Sequence, residues 1–312
     1  MARPKLSALA GLFCVLGLLL ASAWPQPSLA AKASEAASEQ FQVNAPQLKE
    51  MSGISASPSR ANRYWAHNDS GDSSRLFAFD EQGKLLTELK VKGATAFDWE
   101  DMSSFSDSSG SYLLIGDIGD NLSFRPFTDV YLLAEPQTLT SPQMELAISR
   151  HFLLVNEDGP RDAEALAVDS RERFVYILSK RDIHPRLYRF SLDALTGQPI
   201  PLNYLGEVRS IPSADKHQAQ GAGRITRFSP TAMEFSPAGD AAIIVTLGKT
   251  YYFPRKKTQT WLQALNQTPT VVNVNRMPQI EAGTFSRDSK KLLIGSEGLP
   301  AKIEVIPRPK AK

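Results

Sequence analysis

From residue 41 onward the chain is built of short runs in which apolar and polar positions alternate, rich in β-branched and aromatic residues and divided by Gly, Asp, Ser and Pro. Period-two alternation with such breakers predicts half-buried strands joined by turns. The 3.6-residue period of an amphipathic helix is nearly absent, with Trp261–Asn266 read as one short helical turn. The fold class expected is all-β.

The runs repeat. SGISAS from Ser52, EDMSSFS from Glu100, EALAVDS from Glu164, TAMEFSP from Thr231 and EAGTFSR from Glu281 resemble one another, with starts 48, 64, 67 and 50 residues apart. Each is followed by a second strand (YWAHNDSG, YLLIGDIGDN, VYILSKRD, IIVTLGK, LLIGSEG) and a third (RLFAFD, DVYLLAEP, RLYRFSL, TYYF, KIEVI). Four repeats find a fourth strand in KLLTELKV, ELAISRHFLLV, PLNYLGEV and TVVNVN; the last runs out of chain, and Phe41–Val43 is left to complete it. This period and content predict a β-propeller of four-stranded antiparallel blades, closed by an N-terminal strand. Five motifs predict five blades; the length of the chain alone would suit six.

The first thirty residues fall outside this pattern. Arg3 and Lys5 precede an uncharged Leu/Ala-rich run from Leu6 to Ala23, with small-x-small exits at Ala21–Ala23 and Ser28–Ala30. This predicts a secretory signal peptide over 1–30, the alternative being an uncleaved anchor. Residues 31–40 (AKASEAASEQ) read as a flexible leader and 41–312 as a single propeller domain. Removing residues 1–30 changes the formal charge of +2 to 33 basic against 33 acidic residues and takes away the single cysteine, Cys14. The expected product is exported, to the periplasm or beyond the cell, without disulfides and without a stable membrane span. A neutral chain with no basic tract gives no footprint for nucleic acid.

In a propeller the first strand of each blade lines the central channel, so Ser52, Glu100, Glu164, Thr231 and Glu281 are expected around one axis. The residues after them are small (Gly53, Ala165, Ala232, Ala282) except Asp101, which adds another oxygen near the ring. Three carboxylates and two hydroxyls in a narrow channel take up protons or a cation. Hard oxygen donors suit Ca²⁺ better than Zn²⁺, which favours His and Cys. The turns after the second strands should ring the same mouth: HNDSGDS, GDIGDN, SKRDIHPR, LGKT and SEG. His67, Asn68, Asn121, Lys180, Arg181 and Lys249 are the expected ligand contacts there, an acidic side facing a basic side that would suit a small anionic or phosphorylated ligand. If chemistry occurs, Asp69, Asp117 or Asp120 is the expected general base beside a polarising metal. Turn formation alone also accounts for Asp, Asn and Gly at these places.

The ring Ser/Glu/Glu/Thr/Glu is similar to the calcium site of the secreted calcium-activated nucleotidases (apyrases), and the E-A and S-G steps resemble the bacterial SdiA-regulated propeller family. The blocks DWEDM (Asp98–Met102) and GDIGDN (Gly116–Asn121) look like a bacterial exported group within that set. The resemblance spans five short motifs between Ser52 and Gly298. It implies a propeller with calcium in its channel, and Thr231, standing where Ser is usual, keeps the hydroxyl. No P-loop, G-x-S-x-G elbow, H-E-x-x-H or Cys/His metal spacing occurs. The expected function is an exported calcium-binding propeller that takes a ligand at the channel mouth. A metal-dependent phosphohydrolase and a protein-interaction scaffold are the alternatives.

Overall fold

The alternating runs form strands, and the strands fall into antiparallel meanders. The computed structural model describes residues 38–212 and 225–310, so the expected signal peptide, most of the leader and the loop read at 214–223 lie outside the described residues. After β1 (Glu39–Val43), the first meander is β2 (Met51–Ala56), β3 (Arg63–Asn68), β4 (Arg75–Asp80) and β5 (Leu85–Lys92). The second is β6 (Trp99–Asp107), β7 (Gly110–Asp117) and β8 (Thr128–Ala134), then, past β9 (Gln143–Ala147), β10 (Arg150–Asn156). The third is β11 (Ala163–Asp169), β12 (Phe174–Ser179), β13 (Arg186–Ser191) and β14 (Ile200–Glu207). The fourth is β15 (Pro230–Phe235), β16 (Ala241–Thr246), β17 (Thr250–Pro254) and β18 (Thr270–Val272), with the helical turn α1 (Trp261–Leu265) between its last two strands. The fifth is β19 (Ile280–Phe285), β20 (Lys291–Ser296) and β21 (Ala301–Pro307), completed by β1.

The innermost strands close on themselves. β2 packs against β6, β6 against β11, β11 against β15, β15 against β19, and β19 against β2. The architecture is a β-propeller. The inner strands β2, β11, β15 and β19 are buried at every position, because meanders cover both faces, whereas the outer β9 alternates exposed and half-buried residues. Between meanders lie wedges of large apolar side chains. Trp65, Trp99, Leu113 and Tyr131 fill the first wedge, and Phe235, Phe253 and Trp261 fill another. Trp261 stacks flat on Phe235, centroids 3.6 Å apart, and donates Nε1–H to Asp169 at 2.9 Å. Burying such a ring stabilises the fold by about 2–3 kcal/mol.

Two strand assignments differ from the sequence reading. The run Glu145–Val155 is not one fourth strand: β9 pairs in parallel with β5 on the first meander, and only β10 completes the second. The chain crosses between them at Ile148 and Ser149, whose N–H groups bond to Lys92 and Leu132 on different meanders. The strand also pairs β10 in parallel with β14, joining the second and third meanders at their outer edges. The closing strand starts at Glu39 rather than Phe41, in register Glu39↔Val305 to Val43↔Ala301, so the end of the expected leader is strand.

Candidate functional site

Each inner strand opens with an irregularity. The β2–β3 register jumps from Met51↔Asn68 to Gly53↔His67, so Ser52 has no partner opposite it. The same one-residue skip omits Glu100, Glu164, Thr231 and Glu281 in the other four meanders. These are β-bulges, which break the alternation of faces and re-aim a side chain. All five residues expected around the axis are bulge residues, and all five are buried.

The bulges gather acids. Glu100 groups with Asp69 and Asp98, and also with Asp162 and Glu164; Glu281 groups with Asp69 and Glu297. Within each group the carboxylate oxygens lie within 4.8 Å of one another. Glu164, Asp162, Glu100, Asp98, Asp69, Glu281 and Glu297 thus form a continuous arc of seven carboxylates. The two hydroxyls of the ring act differently. Ser52 Oγ donates to the Glu100 carbonyl and Thr231 Oγ1 to the Ile280 carbonyl at 3.2 Å, each tying one inner strand to the next.

Asp98, Asp162 and Glu297 were not singled out from the sequence. A signal existed: an acid stands two residues before the bulge in Glu50-x-Ser52, Asp98-x-Glu100 and Asp162-x-Glu164. Glu297 lies in the SEG turn after β20.

Below the arc, Asp101 is fully buried. Its Oδ2 accepts N–H groups from Leu166 at 2.8 Å and Met233 at 3.0 Å, and its Oδ1 accepts that of Met102 at 2.8 Å. One carboxylate therefore pins three inner strands, β6, β11 and β15, together.

The basic groups do not face the acids across an open mouth as expected. The Lys180 ammonium is paired with Glu164, and Arg181 is paired with Asp162 and hydrogen-bonded to Asn121, so both sit inside the arc. Asn121 also donates to Asp98 at 3.4 Å. Lys249 is exposed on the β16–β17 turn and lines a separate groove with Arg276 and Met277. Seven acids against two paired cations leave the mouth negative.

Three other expected residues hold the scaffold. Asp117 accepts the N–H groups of Phe97 and Asp98, at 2.9 and 3.1 Å, and pairs with Arg125 at 2.9 Å. Asp120 accepts from the Phe124 and Arg125 N–H groups, both at 2.9 Å. The GDIGDN segment thus braces the DWED segment, and neither aspartate stands in the arc. Asn68 is engaged by Glu50 N–H, the Gln47 carbonyl and Asp72. His67 is a core residue rather than a mouth residue. It lies edge-on to Trp99 over Gly53, and burial lowers its pKa to about 4, so it is neutral. Asp69 alone of the three expected bases belongs to the arc.

Crowding of like charge shows in the protonation of the arc. Burial, then Asp69 and Asp98, raises Glu100 well above the usual carboxyl range, with Lys180 opposing. Burial, opposed by the Ser70 N–H and reinforced by Asp98 and Glu281, brings Asp69 to about 6. Burial and a hydrogen bond shared with Glu281 bring Glu297 to about 8. Such a cluster holds protons until a cation replaces them. Gly119 fits only because it lacks a side chain: a Cβ there would stand 2.3 Å from both Asp98 Oδ2 and Glu100 Oε1. Beside the arc the surface is apolar, with Phe97, Leu122 and Phe124 each more than half exposed and the Arg125 guanidinium 4.6 Å above the Phe97 ring.

Against known proteins, no family model and no curated protein matches. Solved structures of similar form do exist. The Neurospora crassa Pan2 WD40 domain has 11% identity and a TM-score of 0.36, over 86% of this chain and 66% of that one. Kuenenia stuttgartiensis hydrazine synthase has 10% identity and a TM-score of 0.44, over 83% of each chain. The RRP9 WD40 repeats have 9% identity and a TM-score of 0.40, over 83% of this chain and 67% of that one. This chain spans about two thirds of the length of the WD40 domains it matches. At such values they bear on no activity, and the propeller stands on the strand order above. The likeness to apyrases and SdiA-regulated propellers remains one of five short motifs.

Proposed function

We propose that this chain is a non-catalytic interaction propeller whose acid-lined mouth takes up a cationic group. The observation that carries the reading is the arc of seven carboxylates, brought together from all but the fourth meander, paired among the described residues with Lys180 and Arg181 and countered at Asp98 by the nearby Arg125. An excess of buried negative charge is relieved by binding positive charge. Ca²⁺ suits an all-oxygen, flexible donor set better than Zn²⁺, and better than Mg²⁺ with its strict octahedron. Glu100, Glu164 and Glu281 would be its core ligands, with Asp69 and Asp98 completing the shell. Exposed Phe97, Leu122 and Phe124 beside the arc would give a protein partner its apolar anchor, as buried aromatics do at interfaces. Export fits this reading, since extracellular modules use calcium sites of low affinity in millimolar ion.

The test is to melt the purified chain with Ca²⁺, with Mg²⁺ and with chelator, and to measure bound metal. At an ion concentration a hundred times Kd, linkage stabilises by about 2.7 kcal/mol, a shift of several degrees. No shift with either ion and no bound metal would remove the ion from the proposal.

Phosphoester hydrolysis is the weaker reading, because Asp117 and Asp120 are engaged by backbone N–H groups and Asp69 is the only expected base left in the arc. No turnover of p-nitrophenyl phosphate, ATP or phytate with Ca²⁺ is expected. Turnover that disappears in Asp69→Asn would reverse the ranking.

A further inference from the structure

The far end of the same axis holds a second, different site. There the five inner strands end around a cavity of about 260 Å³ lined by residues of every meander. Phe105, Phe235 and Phe285 line it, their rings packed into the neighbouring wedges, where Phe105 stacks on Tyr112 and Phe235 on Trp261. Among them stands Glu234, only 5% exposed. Its Oε1 accepts from Ser103 Oγ at 2.8 Å and from the Phe235 N–H at 3.0 Å. Its Oε2 accepts no hydrogen bond and meets no cation among the described residues. This oxygen opens into the cavity rather than being sealed in the core, so it can accept from a bound donor. Burial, reinforced by the charge of Asp101 deeper in the channel and opposed by its two hydrogen bonds, holds its pKa well above the usual carboxyl range.

The rim carries the opposite charge. Arg171 is committed to Asp169 and to the Ala238 carbonyl. Arg287 lines the cavity, is exposed, and has no ion pair among the described residues. A second groove opens beside it, sharing Ala56 and Arg287, and sets Arg60, Arg63, Arg287 and Lys291 against Glu81 and Asp288.

We propose that this cavity binds a small amine carrying an anionic group at its other end, the ammonium on Glu234 and the anion toward Arg287. A carboxyl group with a free oxygen facing the cavity suits an ammonium through a charge-assisted hydrogen bond. The guanidinium at the rim suits a carboxylate or phosphate. The site is independent of the acid-lined mouth, which lies at the opposite end of the inner strands and shares none of these residues.

Calorimetric titration of the full chain with the ω-amino acids from 3-aminopropanoate to 8-aminooctanoate tests it, with hexylamine and hexanoate as single-ended controls. One or more ω-amino acids should bind, hexylamine about ten-fold more weakly, and hexanoate not measurably. Glu234→Gln should abolish binding of both amines. Because that variant alters a buried position, Arg287→Ala is the companion: exposed and outside the core, it should weaken the ω-amino acid about ten-fold and leave hexylamine unchanged. Failure of every amine to bind overturns the proposal. So does binding that survives in a folded Glu234→Gln, which would place the amine at the acid-lined mouth.

Discussion

The two ends of the propeller axis are made from the same five strands and do opposite things with them. At the heads, five bulges break the ladder, and acids from bulges and loops crowd into one arc. At the tails, the ladder stays regular to its last pairs, such as Phe235↔Ala242 and Phe285↔Leu292, and the strands end around the cavity that holds Glu234. A regular strand sends alternate residues into the neighbouring meanders, which want apolar side chains. Where the alternation is broken at the same place in every meander, several polar side chains reach the axis together at one level. The lesson is that local irregularity, repeated in every meander, separates an end crowded with acids from one of mixed polar and apolar lining.

Asp101 stands between the two ends and belongs to neither, so its loss should give the largest effect. Asp101→Ala leaves three buried N–H groups on β6, β11 and β15 without acceptors. At about 1 kcal/mol or more for each, the expected loss is about 3 kcal/mol or greater in denaturant unfolding. Asp101→Asn keeps one oxygen and should lose less. An alanine variant within about 1 kcal/mol of wild type would mean that the strands are pinned by something else.

Gly119→Ala separates the ends more sharply. A Cβ would collide with Asp98 and Glu100 and touch nothing of the far cavity. A stability loss of about 1–3 kcal/mol is expected from the forced shift. Calcium affinity should fall at least about ten-fold while amine binding at Glu234 is unchanged. Loss of both together would show that the ends are coupled.

The fold was legible because blade repetition writes itself into composition: small residues after each head, apolar second strands, turn formers between. The head residues were legible for the same reason. The bulges were not, since one extra residue in a strand leaves no mark in a run such as SGISAS. Without them, ring membership could be read but the gathering of Asp98, Asp162 and Glu297 could not, as that depends on where loops fold back. The charges of Lys180 and Arg181 were visible, but their pairing inside the arc was not. Lys180 follows β12, and only the β11–β12 register brings it back to Glu164. The far cavity escaped because its key residue, Glu234, sits in TAMEFSP as an ordinary alternating acid of a strand.

The acid arc predicts an inverted pH response. The folded, metal-free chain holds protons on Glu297 up to about pH 8 and on Asp69 up to about pH 6, which the unfolded chain releases at the usual lower values. The folded state therefore binds more protons on these two groups, and stability should fall as pH rises from about 6.5 to 8; below that, buried His67, held at about 4 when folded and near 6.5 when unfolded, opposes the slope. Asp158, Asp169 and Asp240 are held below the usual range and titrate under that window, so they do not oppose the slope within it. Saturating Ca²⁺ should flatten or reverse the slope, because it binds the deprotonated arc. Melting temperatures with chelator across this range check it, and a metal-free slope that rises with pH would contradict the charge crowding.

The smallest effect decides which ring members are ligands. Ser52 and Thr231 occupy the same bulge position as Glu100, Glu164 and Glu281, yet their hydroxyls donate to the carbonyls of Glu100 and Ile280. If they are ties between strands, Ser52→Ala and Thr231→Val should each lose about 1 kcal/mol of stability and leave calcium affinity within about two-fold. If they are ligands, the stability loss of the metal-free chain is the same but affinity falls by about ten-fold or more. Glu164→Gln and Glu281→Gln provide the contrast. Each removes a charge from the arc and should lower calcium affinity; the metal-free melting temperature should hold or rise for Glu281→Gln but fall for Glu164→Gln, which leaves the buried Lys180 ammonium without its partner. Calcium affinity lost in the acid variants and kept in the hydroxyl variants would divide the five equivalent bulges into three that bind and two that hold the ring closed.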